Sequence, residues 1–290
     1  MHKFLRAVGF SNIRKKDLDI ILDEIIEHPD VMRVTRDSEE NEFAEMLKFF
    51  CNNTGIMVRG SYDENDIFQI SYYVPFSIYE NFSTQEQIDI EKHAEKESYA
   101  GVCDEVRLGV TLIFYLQNVA EFLLEHRSNI HTKNICGASL SALSVDGKII
   151  LPVKQKVLEK QTVNNKIENR KKLIAEAREG NEEAIENLSI QDLDMYSQIS
   201  KRIRKEDLFS IVMTSFMPYG IESDQYSIIG EIKKVEEMIN SITEEKLYSM
   251  EVECNDLIFR VVINQKDLLG EPAVGRRFKG SIWMQGTVCL

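Results

Sequence analysis

The sequence predicts an α+β fold with antiparallel or mixed sheets and packed helices. Apolar residues alternate at period two over several runs, most strictly at Val106, Leu108, Val110, Leu112, Phe114 and Leu116. Other runs carry the spacing of an amphipathic helix, as Leu18, Ile21, Leu22, Ile25 and Ile26 do. Strand-like and helix-like runs are grouped rather than regularly alternating, which argues against a doubly wound parallel sheet.

Taken in order, the helix over Leu18–Ile26 stops at His28-Pro29, because proline disfavours a helical conformation in the residue before it. Val31 to Val34 reads as a short strand. Glu39 to Phe50 carries apolar residues at 43, 46, 47 and 50 and reads as a helix. Beyond the break at Asn52-Asn53-Thr54-Gly55, the runs Ile56–Tyr62 and Phe68–Val74 flank Asp63-Glu64-Asn65-Asp66 as a hairpin. Ser83-Thr84 opens an acidic, helix-prone segment that reaches Ser98. The strand over 106–116 follows, then a helix over Asn118–Arg127. Ala138–Val145 and Ile149–Val153 read as a second hairpin, with Asp146-Gly147 supplying the positive φ of a type I′ turn.

Lys154 to Glu206 is charged and helical in character. Gly180 suits the end of one helix, Asn181 the cap of the next, and Ser189-x-x-Asp192 forms a capping-box pattern. Strands are expected at Leu208–Met217 and Tyr226–Ile232, and a short helix at Lys233–Ile242. A hairpin over Tyr248–Cys254 and Leu257–Ile263 turns at Asn255-Asp256, and a closing strand runs over Phe278–Val288. These runs divide the chain into an N-terminal α+β domain (1–155), a helical connector (156–206) and a β-rich C-terminal domain (207–290).

Composition narrows the function classes. The 290 residues are 43% hydrophobic and 29% charged, an ordinary globular balance. A net charge of -13 argues against nucleic acid as the main partner, because that binding depends on neutralised phosphates. No run approaches the roughly 18–20 apolar residues of a membrane helix, and the first residues lack the apolar core of a signal peptide. A cytoplasmic protein without a membrane partner is expected. The five cysteines are odd in number and far apart, which fits neither a disulfide framework nor a zinc ribbon; most are expected to be buried thiols.

The common phosphate-loop, dinucleotide, nucleophile-elbow and zinc-protease motifs are absent. Two stretches carry the remaining chemistry. In Glu91–Asp104, His93 and Glu97 would share a helix face and Asp104 would follow in a loop, a spacing that suits a metal ion. A solvated acidic helix is the structural alternative. In Gly270–Gly286, Arg276, Arg277 and Lys279 lie beside glycines that let an anion approach the backbone, and Trp283 offers a stacking face. The structural alternative is a closing strand with a buried tryptophan. A third feature, Ser215–Ile221, places Phe, Met and Tyr at a Pro-Tyr-Gly turn that suits a protein interface or the core.

Four strings carry a resemblance. They are Met1–Phe10, Glu97-Ser98-Tyr99-Ala100-Gly101-Val102-Cys103-Asp104-Glu105, Phe216-Met217-Pro218-Tyr219-Gly220 and Gly275-Arg276-Arg277-Phe278-Lys279-Gly280. Through them the chain resembles, over its full length, an uncharacterised family of clostridial proteins of about 290 residues, a domain of unknown function. The resemblance implies a bacterial cytoplasmic setting and transfers no catalytic residue. The residues themselves favour a non-enzymatic binding or scaffold protein that recognises a protein or small anionic ligand, without a cofactor and with a homodimer as the expected assembly. The alternative is a metal-assisted hydrolase using Glu91–Asp104.

Overall fold

The computed structural model describes residues 2–92, 97–128, 135–152, 173, 176–177, 181, 183–189, 212–220 and 223–290. The chain is mostly β, with one antiparallel and one mixed sheet, and is more β-rich than the α+β balance expected. It begins with a 3-10 helix over Lys3–Val8 and the helix α1 over Lys15–Glu27, which buries Leu18, Ile21, Leu22 and Ile25. The first sheet is antiparallel in the order β1 (Val31–Arg36), β2 (Glu42–Cys51), β3 (Thr54–Tyr62), β4 (Phe68–Ser77).

The strand β2 replaces the helix expected over Glu39–Phe50. Its two faces bury different clusters: Phe43 one, Ala44, Met46 and Phe50 a second, and Leu47 a third. A strand buried on both faces loses its period-two signature, and the remaining apolar positions mimic helical spacing.

Among the described residues the second sheet has ten strands. Its N-terminal members are β5 (Thr84–Lys92), β6 (Tyr99–Glu105), β7 (Val110–Leu116) and β8 (Ile135–Ile150). Helix α2 (Val119–Ser128) intervenes between β7 and β8. The C-terminal members are β9 (Ser215–Pro218), β10 (Gln225–Ile239), β11 (Lys246–Cys254), β12 (Leu257–Asn264), β13 (Leu268–Leu269) and β14 (Arg277–Val288).

The pairings close two rings of five strands that share β8 and β14. One ring runs β8–β12–β11–β10–β14, and the other runs β8–β5–β6–β7–β14. One continuous cluster lies along both, including Phe114, Leu112, Met250, Phe259, Val261 and Ile282. A ring this small is filled by its own side chains. The opposite face of the strands, at Leu143, Leu247, Val262 and Trp283, packs with the 3-10 helix, α1 and the first sheet in a second cluster.

Several expected elements differ. The acidic run after Ser83 is strand β5, held by β6 and β8, and its sequence shows little of this because just Thr84, Ile88 and the half-buried Ile90 point inward. Val106 and Leu108 lie in a turn between β6 and β7, closed by Leu108 N–H to Glu105 O at 3.1 Å. The hairpin expected around Asp146-Gly147 is the single strand β8. Gly147 is there for close packing, since a Cβ would meet the Phe278 ring at 2.5 Å, and Asp146 Oδ1 accepts from Ser281 N–H at 3.1 Å beside a bulge. The helix expected over Lys233–Ile242 is the continuation of β10 past a bulge between Ile232 and Lys234. The strand expected over Leu208–Met217 begins at Ser215, and residues 208–211 lie outside the described residues.

The expected boundaries do not match the grouping of contacts. Met1–Ile150 and Thr214–Leu290 form one compact unit, because β8 pairs with β14 along one edge and with β5 and then β12 along the other. Leu151–Met213 forms a second unit. Its described part is helical at 173, 176–177 and 183–189, and Asn181 Oδ1 caps the last of these through the N–H groups of Glu183 (3.1 Å) and Ala184 (3.2 Å). Gly180 and Asp192 lie outside the described residues; Ser189 is helical and donates to Ile185 O at 2.9 Å.

Candidate functional site

The residues singled out from Gly270–Gly286 do not share one cleft. Arg276 Nη1 donates to Glu271 O at 2.6 Å and closes the loop before β14. Arg277 is 5% exposed, and burial lowers its pKa. Trp283 stacks on Phe4 with ring centroids 5.2 Å apart and donates from Nε1 to Asp224 Oδ2 at 2.6 Å. Lys279 lines an open cleft of about 660 Å³ with Lys148, Tyr219 and Ser227, and Lys148 is its direct partner on β8.

In the Glu91–Asp104 stretch, Glu91 and Lys92 are strand and His93 lies outside the described residues. Glu97 is not helical. It accepts from Lys92 Nζ at 2.7 Å, Tyr99 Oη at 2.6 Å and Ser38 Oγ at 2.5 Å. Burial raises its pKa, but these donors outweigh burial and lower it below the usual carboxylate range. Asp104, on β6, accepts from Thr111 Oγ1 at 2.9 Å. Among the described residues no group of three His, Cys, Asp or Glu is placed to hold a metal ion.

The strings behind the resemblance have structural work. The N-terminal string forms the 3-10 helix, whose Gly9 adopts φ 97° against Asn240 while Asn240 Nδ2 donates to Val8 O at 2.9 Å. Gly101 admits the Phe114 ring, which a Cβ would meet at 2.2 Å. Phe216 is buried against Tyr226, whereas Met217 and Tyr219 are 57% and 62% exposed; Ile221 lies outside the described residues. All five cysteines are free, with Cys103 and Cys254 buried, Cys51 half-buried, and Cys136 and Cys289 exposed, so fewer are buried than expected.

The most chemically pointed place is a polar cleft of about 320 Å³ on the outer face of β10, β11 and β12, where it meets the β2–β3 turn and the chain after β4. The alternation of β12 turns Val261 and Ile263 inward and Arg260 and Val262 outward. Arg260 is 6% exposed. Its Nε donates to Ser249 Oγ (2.8 Å), Nη1 to Ile78 O (2.8 Å), and Nη2 to Asn52 O (2.9 Å) and Met238 Sδ (3.3 Å). All these acceptors are neutral, and one of the five guanidinium N–H bonds has no acceptor among the described residues. No carboxylate lies within ion-pair distance among those residues, and burial lowers the Arg260 pKa despite Glu236, Glu80 and Glu251 farther off.

Around it the other charges are mostly spoken for. Lys234 pairs with Glu236 at 2.7 Å, and Glu80 accepts from Asn53 Nδ2 at 2.7 Å. Sequence reasoning passed over Arg260, yet a signal was present: it is the sole charge in the apolar run Leu257–Ile263.

Fold and cleft together define a class: a mostly β protein whose rings are filled by side chains and which carries a polar cleft on an outer sheet face. The chain belongs to the DUF3881 family, a domain of unknown function described from E. rectale, whose model matches residues 5–286. Neither the curated proteins nor the solved structures contain a match. No helix among the described residues is long and apolar enough to cross a membrane.

Proposed function

We propose that the protein is a non-enzymatic binding protein that holds a small anionic ligand in the Arg260 cleft. The supporting observation is Arg260 itself, a buried cation at the cleft with neutral partners and a spare N–H. A buried charge without a counter-charge is costly, and a bound carboxylate or phosphate offsets that cost through a charge-assisted hydrogen bond. The site lies on the C-terminal strands, though away from Arg276, Arg277, Lys279 and Trp283.

The test is a titration of the whole protein with acetate, citrate and inorganic phosphate, followed by backbone amide NMR. Shifts concentrated at Asn52, Asn53, Ser249 and Arg260, with a thermal midpoint that rises with ligand, are the expected result. In Arg260→Gln, confirmed folded by circular dichroism, both responses disappear. An unresponsive wild-type protein, or an equal response in folded Arg260→Gln, defeats the proposal.

A further inference from the structure

The cleft also contains an unused anion. Glu251 on β11 is the direct register partner of Arg260 on β12, and Lys234 on β10 is its partner on the other side. Directly opposed antiparallel residues have Cα atoms about 4.5–5.5 Å apart, and opposite charges in that position usually pair. Here they do not. The Arg260 guanidinium is drawn aside to Ser249 Oγ and to the carbonyls of Asn52 and Ile78, while Lys234 turns to Glu236. Glu251 is left half-buried with no hydrogen-bond or ion-pair partner among the described residues.

The cleft therefore holds Arg260 and Glu251 side by side, neither neutralised by a neighbour within ion-pair distance among the described residues, while the lining Glu80 is held by the neutral Asn53 amide. A simple anion would answer Arg260 alone and leave Glu251 without a counter-charge. A ligand with both signs answers both. Resting on the reading that Arg260 binds an anion, we infer that the ligand is a small zwitterion carrying a carboxylate and a primary ammonium, the chemistry of a free amino acid. Its carboxylate meets the spare Arg260 N–H and its ammonium meets Glu251. The neutral amide and hydroxyl groups of Asn53, Asn81 and Tyr79 line the same cleft and suit a polar ligand.

Calorimetric titration with a panel of free L-amino acids, their N-acetyl derivatives and their carboxamides tests this on the whole protein. At least one free amino acid is expected to bind 10-fold or more tighter than both of its derivatives. Glu251→Gln, an isosteric change at a half-buried position, should bring free and N-acetylated forms to equal affinity while inorganic phosphate still shifts the cleft amides. Equal binding of free and N-acetylated forms by wild type overturns this inference and leaves the anion reading standing. A carboxamide that binds as well as its parent also overturns it. Silence toward phosphate, acetate, citrate and every amino acid overturns both readings.

Discussion

Arg59 and Glu45 show what a lone charge in an apolar strand can mean. Both side chains are fully buried, with Arg59 Nε 2.8 Å from Glu45 Oε2; Arg59 also donates to Tyr115 Oη at 2.7 Å and Gln117 O at 2.6 Å. This ties the first sheet to the end of β7. Arg59→Met leaves the buried Glu45 with Arg33 alone, 3.7 Å away, and should cost about 3–5 kcal/mol in urea denaturation, whereas Arg59→Met with Glu45→Leu should recover much of that loss. A single variant as stable as wild type would remove the pair from the fold's supports.

His2 makes a pH prediction at the same scale. Its Nδ1 accepts from Phe4 N–H at 3.3 Å, and burial, reinforced by the N-terminal charge, lowers its pKa to about 4. The unfolded chain, titrating near the ordinary histidine value of about 6.5, binds more protons in that window. Stability from this group is therefore complete above about pH 6.5 and falls as pH drops toward 4. Between pH 6.5 and 5, the urea midpoint of wild type should fall further than that of His2→Gln; parallel curves would refute the assignment. The same residues were only partly legible in sequence. Arg59, Arg260 and Glu45 stand out as charges among apolar neighbours, but Arg59 pairs with the Glu45 it faces across β2 and β3 whereas Arg260 does not pair with the Glu251 it faces across β11 and β12, and periodicity does not tell these apart.

At the scale of elements, legibility followed local chemistry. Helix α1 shows its stripe because one face alone is buried, and the β3–β4 and β11–β12 hairpins show theirs because their turns are local. The strands β2 and β5 and the second half of β10 were hidden for different reasons: burial on both faces, a mostly exposed surface, and a bulge that shifts the alternation. Asp-Gly misled at β8 since a glycine required by packing looks the same as one required by a turn. The turn at Asn255-Asp256 is the contrasting case. Both residues adopt positive φ, 52° and 64°. Asp256→Val should cost about 1–2 kcal/mol, since a side chain with a branched Cβ tolerates that region poorly. Asp256→Gly should be nearly neutral, and matching denaturation midpoints for the two variants would count against a turn governed by backbone conformation.

At the scale of the molecule, the candidate cleft and the domain plan share one cause. Closing two rings through β8 and β14 brings strands from opposite ends of the chain into one wall, a relation that sequence patterning does not encode because period-two runs do not name their partners. The grouping of contacts implies that the unit formed by 1–150 and 214–290 supplies its own core without Leu151–Met213. Ile150 and Ser215 sit three strand positions apart across β8, β14, β10 and β9. That is about 14 Å at ~4.8 Å per strand, within reach of a Gly/Ser linker of about eight residues. Residues 1–150 joined to 214–290 by such a linker should unfold in one cooperative transition and keep the ligand response of the Arg260 cleft. Residues 207–290 alone should not fold, since β14 would lose both β7 and β8 and β12 would lose β8. A cooperative transition from that fragment, or an unfolded linked chain, would return the molecule to three independent domains.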